Sequence, residues 1–138
     1  MRISTKGRYA LRLMIDVADH KESGRIPIRE IAKRQSMPVK YLEQIAAVLT
    51  KSGLLLSVRG ANGGYTLARP AEQYQIGEIL RLTEGRLAPV ACLDADSNPC
   101  ERQEICPTLN FWKGLQQVVN DYVDSMTLKD LLDSECDM

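Results

Sequence analysis

A single histidine, a single tryptophan and a single phenylalanine stand among the 138 residues. One histidine leaves little material for general acid–base work, and no paired carboxylates or Cys–His site replace it, so an enzyme is not expected. No apolar run reaches the length of about 18 residues that reads as a membrane span, and Met1-Arg-Ile-Ser-Thr-Lys6 is polar where a secretory signal would turn apolar. A cytoplasmic protein without membrane contact is therefore expected, and its four cysteines are not assigned to structural disulfides. Internal repeats and low-complexity segments are also missing. The apolar fraction of 44% and charged fraction of 26% are those of one ordinary globular domain with room for an extra helix or two.

Net charge is lacking as well, since 18 Lys and Arg balance 18 Asp and Glu. Taken alone that balance argues against a polyanionic partner. Cut at Pro70, however, the chain splits into a front half with 13 basic against 5 acidic residues and a back half with 5 against 13. A basic front half suits phosphate binding with steep salt dependence, and the acidic half should then face away from it.

The front half also carries the most informative pattern. Ile28, Ile31 and Ala32 fall at i, i+3 and i+4, a buried stripe on a short helix with Lys33 and Arg34 outside. Ser36-Met37-Pro38 stops it, because Pro38 lacks an N–H and disfavours helical geometry before it, while Ser36 is expected to cap the helix that follows. In that second helix Leu42, Ile45 and Leu49 face inward and Lys40, Glu43, Gln44, Ala47 and Lys51 face outward. Gln44 matches an adenine and Glu43 a cytosine amino group in the major groove. The bland reading is a solvated polar helix face.

Leu54 to Arg59, then Gly60-Ala-Asn62-Gly63-Gly64, then Tyr65-Thr-Leu67 read as strand, tip and strand. Asn62, Gly63 and Gly64 tolerate positive φ and bring backbone N–H groups near a phosphate, and Arg59 at the wing base has the reach for a minor groove. A phosphate-cradling nucleotide loop is the competing view, but such a loop leads into a helix and ends in Gly-Lys-Ser/Thr, and neither holds here. The fold expected is mainly α: a winged helix-turn-helix with a small β-hairpin wing.

Flanking elements follow from spacing. Ala10, Leu13, Met14, Val17 and Ala18 mark a first helix whose start is crowded by Arg2, Lys6, Arg8 and Arg12, a placement that opposes the helix dipole unless these residues meet phosphates. Ile76, Ile79, Leu80 and Leu82 suggest a helix ending at Gly85. Leu109, Trp112, Leu115, Val119, Tyr122 and Met126 form a long stripe, read as a C-terminal dimerisation helix that would place two reading heads on a palindromic site with half-sites about 34 Å apart. Packing within its own chain is the alternative. A last helix, Leu128 to Leu132, starts after Thr127 as its cap. The expected division is 1–85 for DNA binding, 86–107 for a cysteine-bearing loop, and 108–138 for the dimerisation helix and tail.

On that loop Cys92, Cys100 and Cys106 are separated by seven and five residues. Structural zinc sites favour close Cys pairs with a fourth Cys or His, whereas iron–sulfur clusters accept irregular thiolate spacing, so an iron–sulfur cluster is favoured over zinc; unligated or redox-active thiols are the alternative.

Met1-Arg-Ile-Ser-Thr-Lys-Gly-Arg-Tyr9-Ala, Tyr41-Leu-Glu-Gln44, Gly53-Leu, Val58-Arg-Gly60, Gly63-Gly-Tyr65 and the three loop cysteines together resemble the bacterial winged-helix regulators that include IscR, NsrR, RirA and CymR. The resemblance covers nearly the whole chain and is strongest to the IscR-like members. It implies a homodimeric transcription factor on double-stranded DNA at palindromic promoter sites, with one cluster per subunit, 2Fe–2S rather than 4Fe–4S, and iron–sulfur assembly proteins as further partners. Tyr41, Glu43, Gln44 and Arg59 fall at positions that contact DNA in that family, and Cys92, Cys100 and Cys106 at those that bind the cluster. IscR-like proteins complete the cluster with a histidine three residues after the last cysteine, where this chain has Leu109, and the early aspartate of NsrR-like members is replaced by Arg8. Asp94, Asp96, Glu101, Glu104, Asn110 or an outside thiol remain for the fourth position; His20 and Cys136 are read as a helix-end residue and as tail. The rival functions are a thiol- or cysteine-metabolism repressor without a cluster, a nitric-oxide-sensing repressor, a redox enzyme subunit, and a winged helix used only for protein contacts.

Overall fold

The computed structural model describes residues 1–94 and 100–134. Among these, six α-helices and one two-stranded hairpin follow in the order α1 (Thr5–Asp19), α2 (Ile28–Gln35), α3 (Val39–Lys51), β1 (Leu55–Val58), β2 (Gly64–Leu67), α4 (Ile76–Glu84), α5 (Leu109–Ser125) and α6 (Leu128–Asp133). Three single 3-10 turns lie between them, at Lys21–Ser23, Ala71–Gln73 and Ala91–Leu93. No helix of the described residues is long and apolar enough to cross a membrane.

The main core forms where the apolar faces of α1, α2 and α3 meet: Ala10, Leu13, Met14, Val17, Ile31, Leu42, Ile45 and Leu49 are almost fully buried there. Burial of this stripe is what the i, i+3, i+4 spacing encodes. The turn between α2 and α3 differs from expectation in one respect. Ser36 does not cap α3; it ends α2 in the left-handed region (φ 54°, ψ 51°), and Met37 N–H closes back on Ala32 O at 3.0 Å. Pro38 occupies the position before α3, with its ring fixing φ at −63°, and no side chain caps that end. The reason is distance along the chain: Ser36 lies two residues too early to reach the first amides of α3. A non-glycine residue at positive φ is strained. Ser36→Gly should therefore stabilise the fold by roughly 0.5–1 kcal/mol, read as a higher urea midpoint at unchanged m-value.

Strands β1 and β2 pair antiparallel from Leu55 opposite Leu67 to Val58 opposite Gly64. Ile26 adds a short third rung, exchanging two N–H···O bonds of 2.9 Å with Tyr65, and so ties the wing to the segment that leads into α2. The tip meets the sequence expectation only at Gly64, one of the three positions named for positive φ. Positive φ is found at Gly60 (110°) and Gly64 (153°), not at Asn62 or Gly63. Gly63 is required for space instead, since a Cβ there would collide with the Val58 carbonyl oxygen, and a Cβ on Gly64 would meet the Ile26 backbone.

Below the wing, Tyr74 is fully buried, its hydroxyl donating to Leu54 O at 2.7 Å and accepting from Ala68 N–H at 2.9 Å and Arg69 N–H at 3.2 Å. This one side chain pins both ends of the hairpin to the helical core. The Arg69 guanidinium lies over its ring at 4.4 Å.

Helix α5 packs on α4 through a second cluster, in which Ile76, Leu80 and Leu87 meet Val119, Val123 and Met126. Arg81 clamps the two helices with a bidentate bond to Asp124 (2.7 and 3.0 Å) and a third to Asn120 at 3.1 Å. Gly77 makes that approach feasible, because a Cβ there would overlap the Asp124 carboxylate. The long stripe expected on α5 thus divides. Val119 and Met126, which lies just past the helix end, face α4, whereas Leu115 and Tyr122 are exposed with Phe111 and Val118. Helix α6 folds back on α1, begun by the Thr127 cap as expected: Asp130 N–H donates to Thr127 Oγ1 at 3.1 Å and Thr127 N–H to Asp130 Oδ2 at 2.9 Å.

Candidate functional site

The outer face of α3 and the wing form one concave surface. Glu43, Ala47 and Lys51 of α3 line a groove closed on the other side by Val58, Arg59, Gly63 and Tyr65, with Arg29 of α2 at one end. Lys40, Glu43, Gln44, Arg59 and Asn62 are exposed, and Tyr41 and Gly63 are half-buried, so all seven residues expected to read DNA lie on α3 or the wing. Gly63 donates its own N–H to Gly60 O at 3.0 Å, so this amide closes the tip turn and is not turned outward. Burial, with the nearby Glu43 carboxylate, pushes the Tyr65 phenol above its usual range.

Helix α1 joins this surface. Tyr9 meets Tyr41 edge to face at 5.6 Å, and the Arg12 guanidinium covers Tyr9 at 5.4 Å. Arg12 also bonds the side chain and carbonyl of Gln35 at the end of α2. The first helix therefore braces both members of the helix-turn-helix, and its Arg8 and Arg12, with Arg2 just before it, are exposed.

A second brace is internal. Asp16 is only 2% exposed, yet it receives Arg34 Nε at 3.0 Å and Nη2 at 2.7 Å, and Gln35 Nε2 at 3.0 Å. Burial pulls its pKa upward, but the bonds from Arg34 and Gln35 and the Arg34 charge outweigh that, holding the carboxyl below the ordinary aspartate range. His20 closes the end of α1 beside it, its Nδ1 at 2.8 Å from Asp16 O, a helix-end position as expected. Spacing alone did not mark Asp16, because its partners lie 18 and 19 residues away.

The start of α1 is held from α4. Glu84 Oε1 accepts from Ser4 N–H (3.2 Å), Ser4 Oγ (2.5 Å) and Gly7 N–H (2.9 Å). Burial pulls this carboxyl upward, but the Ser4 and Gly7 bonds and the Lys6 charge hold it below its usual range.

The three cysteines of the loop are free thiols, with Cys92 and Cys100 exposed and Cys106 half-buried. Cys106 lies just before α5, its Sγ 3.4 Å from Thr108 Oγ1; that bond, then the backbone N–H groups of Thr108 and Leu109, lower its pKa and favour the thiolate. As a donor set, three accessible thiols with one biased toward thiolate fit an iron–sulfur cluster in kind. Among the described residues no three His, Cys, Asp or Glu side chains converge on one point, so the structure does not bring the thiols together. Leu109 begins α5 with a half-buried aliphatic side chain where a ligand would stand. Asp94 is half-buried; Glu101, Glu104 and Asn110 are exposed. Asp96 and Cys136 lie outside the described residues.

The family model of Rrf2, described as an iron-dependent transcriptional regulator, matches residues 3–134. This chain belongs to the Rrf2 family of transcriptional regulators. It is 34% identical over 135 residues to the HTH-type transcriptional regulator IscR of Pectobacterium atrosepticum, spanning 98% of this chain and 81% of that one. Its fold is similar to that of CymR, the global cysteine regulator of B. subtilis, at 35% identity and TM-score 0.80, covering 99% of both chains. It is also similar to IscR of T. potens, at 36% identity and TM-score 0.74, covering 96% of this chain and 86% of that one. Membership of the Rrf2 family makes the protein a DNA-binding transcriptional regulator with a winged helix, in a family of non-enzymes.

Proposed function

We propose that this Rrf2-family protein acts as a homodimer on palindromic duplex DNA, reading bases with α3 and clasping the backbone with the wing and the start of α1. The observation that carries this reading is the shared concave face lined by Glu43 of α3 and Arg59 of the wing; the exposed Arg8 and Arg12 of α1, the helix braced against α3 through Tyr9 and Tyr41, add to it. Glu43 and Gln44 are assigned to base edges, and Lys40, Tyr41, Arg59 and the tip residues Asn62 and Gly63 to phosphates or the minor groove. Two such heads related by the symmetry of a dimer would occupy successive turns of one groove face.

The control we propose is an iron–sulfur cluster on Cys92, Cys100 and Cys106, 2Fe–2S in type, whose gain and loss report iron supply, oxidants or nitric oxide in the manner of an iron–sulfur biogenesis regulator. Bound there, a cluster would supply a thiolate-ligated centre sensitive to oxidation. The chain's own contribution is Cys106 biased toward thiolate at the foot of α5, the helix clamped to α4 by Arg81. A second reading, a cysteine- or thiol-responsive repressor without a cluster, draws support from Leu109, from thiols that do not converge among the described residues, and from the likeness to CymR.

The test has two arms. Duplex binding measured between 50 and 200 mM salt should weaken by about 10³-fold or more if the dimer makes six or more phosphate contacts; salt-independent binding would remove the DNA face. Protein purified without oxygen should contain iron and sulfide and be coloured, and Cys92→Ala should lose both. Colourless, iron-free wild-type protein that still binds duplex would leave the cysteine-responsive reading in place.

A further inference from the structure

The start of α1 poses an electrostatic problem that its own sequence does not solve. Arg2, Lys6, Arg8 and Arg12 crowd it, and its first turn holds no acidic residue. Ser4 stands at the N-cap but makes no side-chain cap to the helix, leaving the first amides without a local acceptor. The acceptor comes from 77 to 80 residues away: Glu84, the last residue of α4, whose single Oε1 collects the Ser4 amide, the Ser4 hydroxyl and the Gly7 amide. Gly7 leaves room for it, since a Cβ at that position would collide with Oε1. A carboxylate in this place satisfies orphan amides and opposes the positive end of the helix dipole.

We propose that Glu84 is a positioning residue for DNA binding: from the end of α4 it fixes the first turn of α1 where that helix's basic side chains meet phosphate. The inference rests on the proposed phosphate contacts of α1. Two contacts carry the alignment onward, Tyr9 to Tyr41 of α3 and Arg12 to Gln35 at the end of α2. A first turn freed from Glu84 would fray, and basic side chains on a frayed segment contribute less to a bound complex because they must be ordered when it forms.

Charge alone and positioning predict opposite signs. A carboxylate beside a phosphate-facing surface repels DNA, so deleting it for its charge would raise affinity. Deleting a positioning group lowers it. The experiment uses the full-length protein and a fluorescent duplex carrying its operator or, before that is known, a mixed-sequence 30-base-pair duplex, titrated at two salt concentrations well below each variant's unfolding temperature. Glu84→Ala should bind about tenfold more weakly with a shallower salt slope, as if about one or two phosphate contacts were lost. Glu84→Gln keeps a carbonyl acceptor for the Gly7 amide and should recover most of the affinity. Gly7→Ala leaves the charge in place but displaces it, and should resemble Glu84→Ala; it answers the same question if Glu84→Ala does not fold. Unchanged or tighter binding by a folded Glu84→Ala or Gly7→Ala overturns the proposal. Wild-type protein lacking any steep salt dependence overturns the phosphate reading and this inference together.

Discussion

Arg34→Met should destabilise the fold by about 3 kcal/mol at neutral pH, a fall in unfolding temperature on the order of 10 °C for a domain of this size. The loss falls on Asp16, not on the arginine. Arg34 is one-third exposed and would lose little by facing water, but Asp16 is 1% exposed at its side chain and would keep only Gln35 and a more distant His20. Removing the partner of a buried charge leaves that charge uncompensated, and the cost falls near the low end of the usual 3–5 kcal/mol because Gln35 Nε2 still donates to the carboxylate at 3.0 Å. The pH dependence gives the prediction its sign. In the native protein Asp16 titrates below its unfolded value of about 3.9, so its contribution is complete above that value and is lost as pH falls through the lower folded one. Without Arg34, burial would dominate and raise the folded pKa, so the variant regains stability as pH falls through that raised value. The gap between the two proteins should therefore be widest at pH 7 and close on acidification. Urea midpoints at pH 7, 5 and 4 measure it, and a gap that stays constant would show that Arg34 acts by packing alone. Asp16→Asn should cost less than Arg34→Met at pH 7, since it removes the buried charge itself.

Local signals were the legible ones. The helix-turn-helix follows from apolar residues three and four apart and from a proline that cannot continue a helix; the wing follows from two strand-like runs around a glycine tip; the last helix follows from Thr127 as its cap. Each depends on neighbours within one or two turns. What escaped depends on partners far along the chain. Asp16 reads as a polar residue on a helix until Arg34 is folded against it, Tyr74 as part of a short polar segment until its hydroxyl reaches Leu54, and Glu84 as the frayed end of α4 until Ser4 and Gly7 arrive. The α5 stripe was visible as apolar but not as two faces, because one helix serving two partners spreads its apolar residues around the axis. In the candidate site the same division holds. The α3 and wing residues come together because adjacent elements carry them, whereas the cysteines are spread over a loop with no regular element between Leu93 and Leu109 to set their geometry among the described residues.

The face of α5 left over from its own chain predicts the second large effect. Phe111, Leu115, Val118 and Tyr122 follow at i, i+4, i+7 and i+11 and are 65, 38, 65 and 64% exposed. Four large apolar side chains on one line of a 17-residue helix are the expected seam for a second copy, since a two-fold axis lays each stripe against its twin. Leu115→Glu combined with Val118→Glu places four carboxylates in that seam of a dimer and removes no contact of either buried cluster within the chain. The double variant should sediment as a folded monomer, its unfolding temperature lowered only by the stability that pairing supplied and no longer dependent on protein concentration. Its affinity for a palindromic duplex should fall by about 10²-fold or more, because each head then binds alone and the effective concentration supplied by its tethered twin is lost. Binding to a single half-site should change far less, and that ratio separates loss of pairing from damage to the reading head. A variant that remains a dimer would place the interface elsewhere on the chain and leave the apolar line on α5 for another partner.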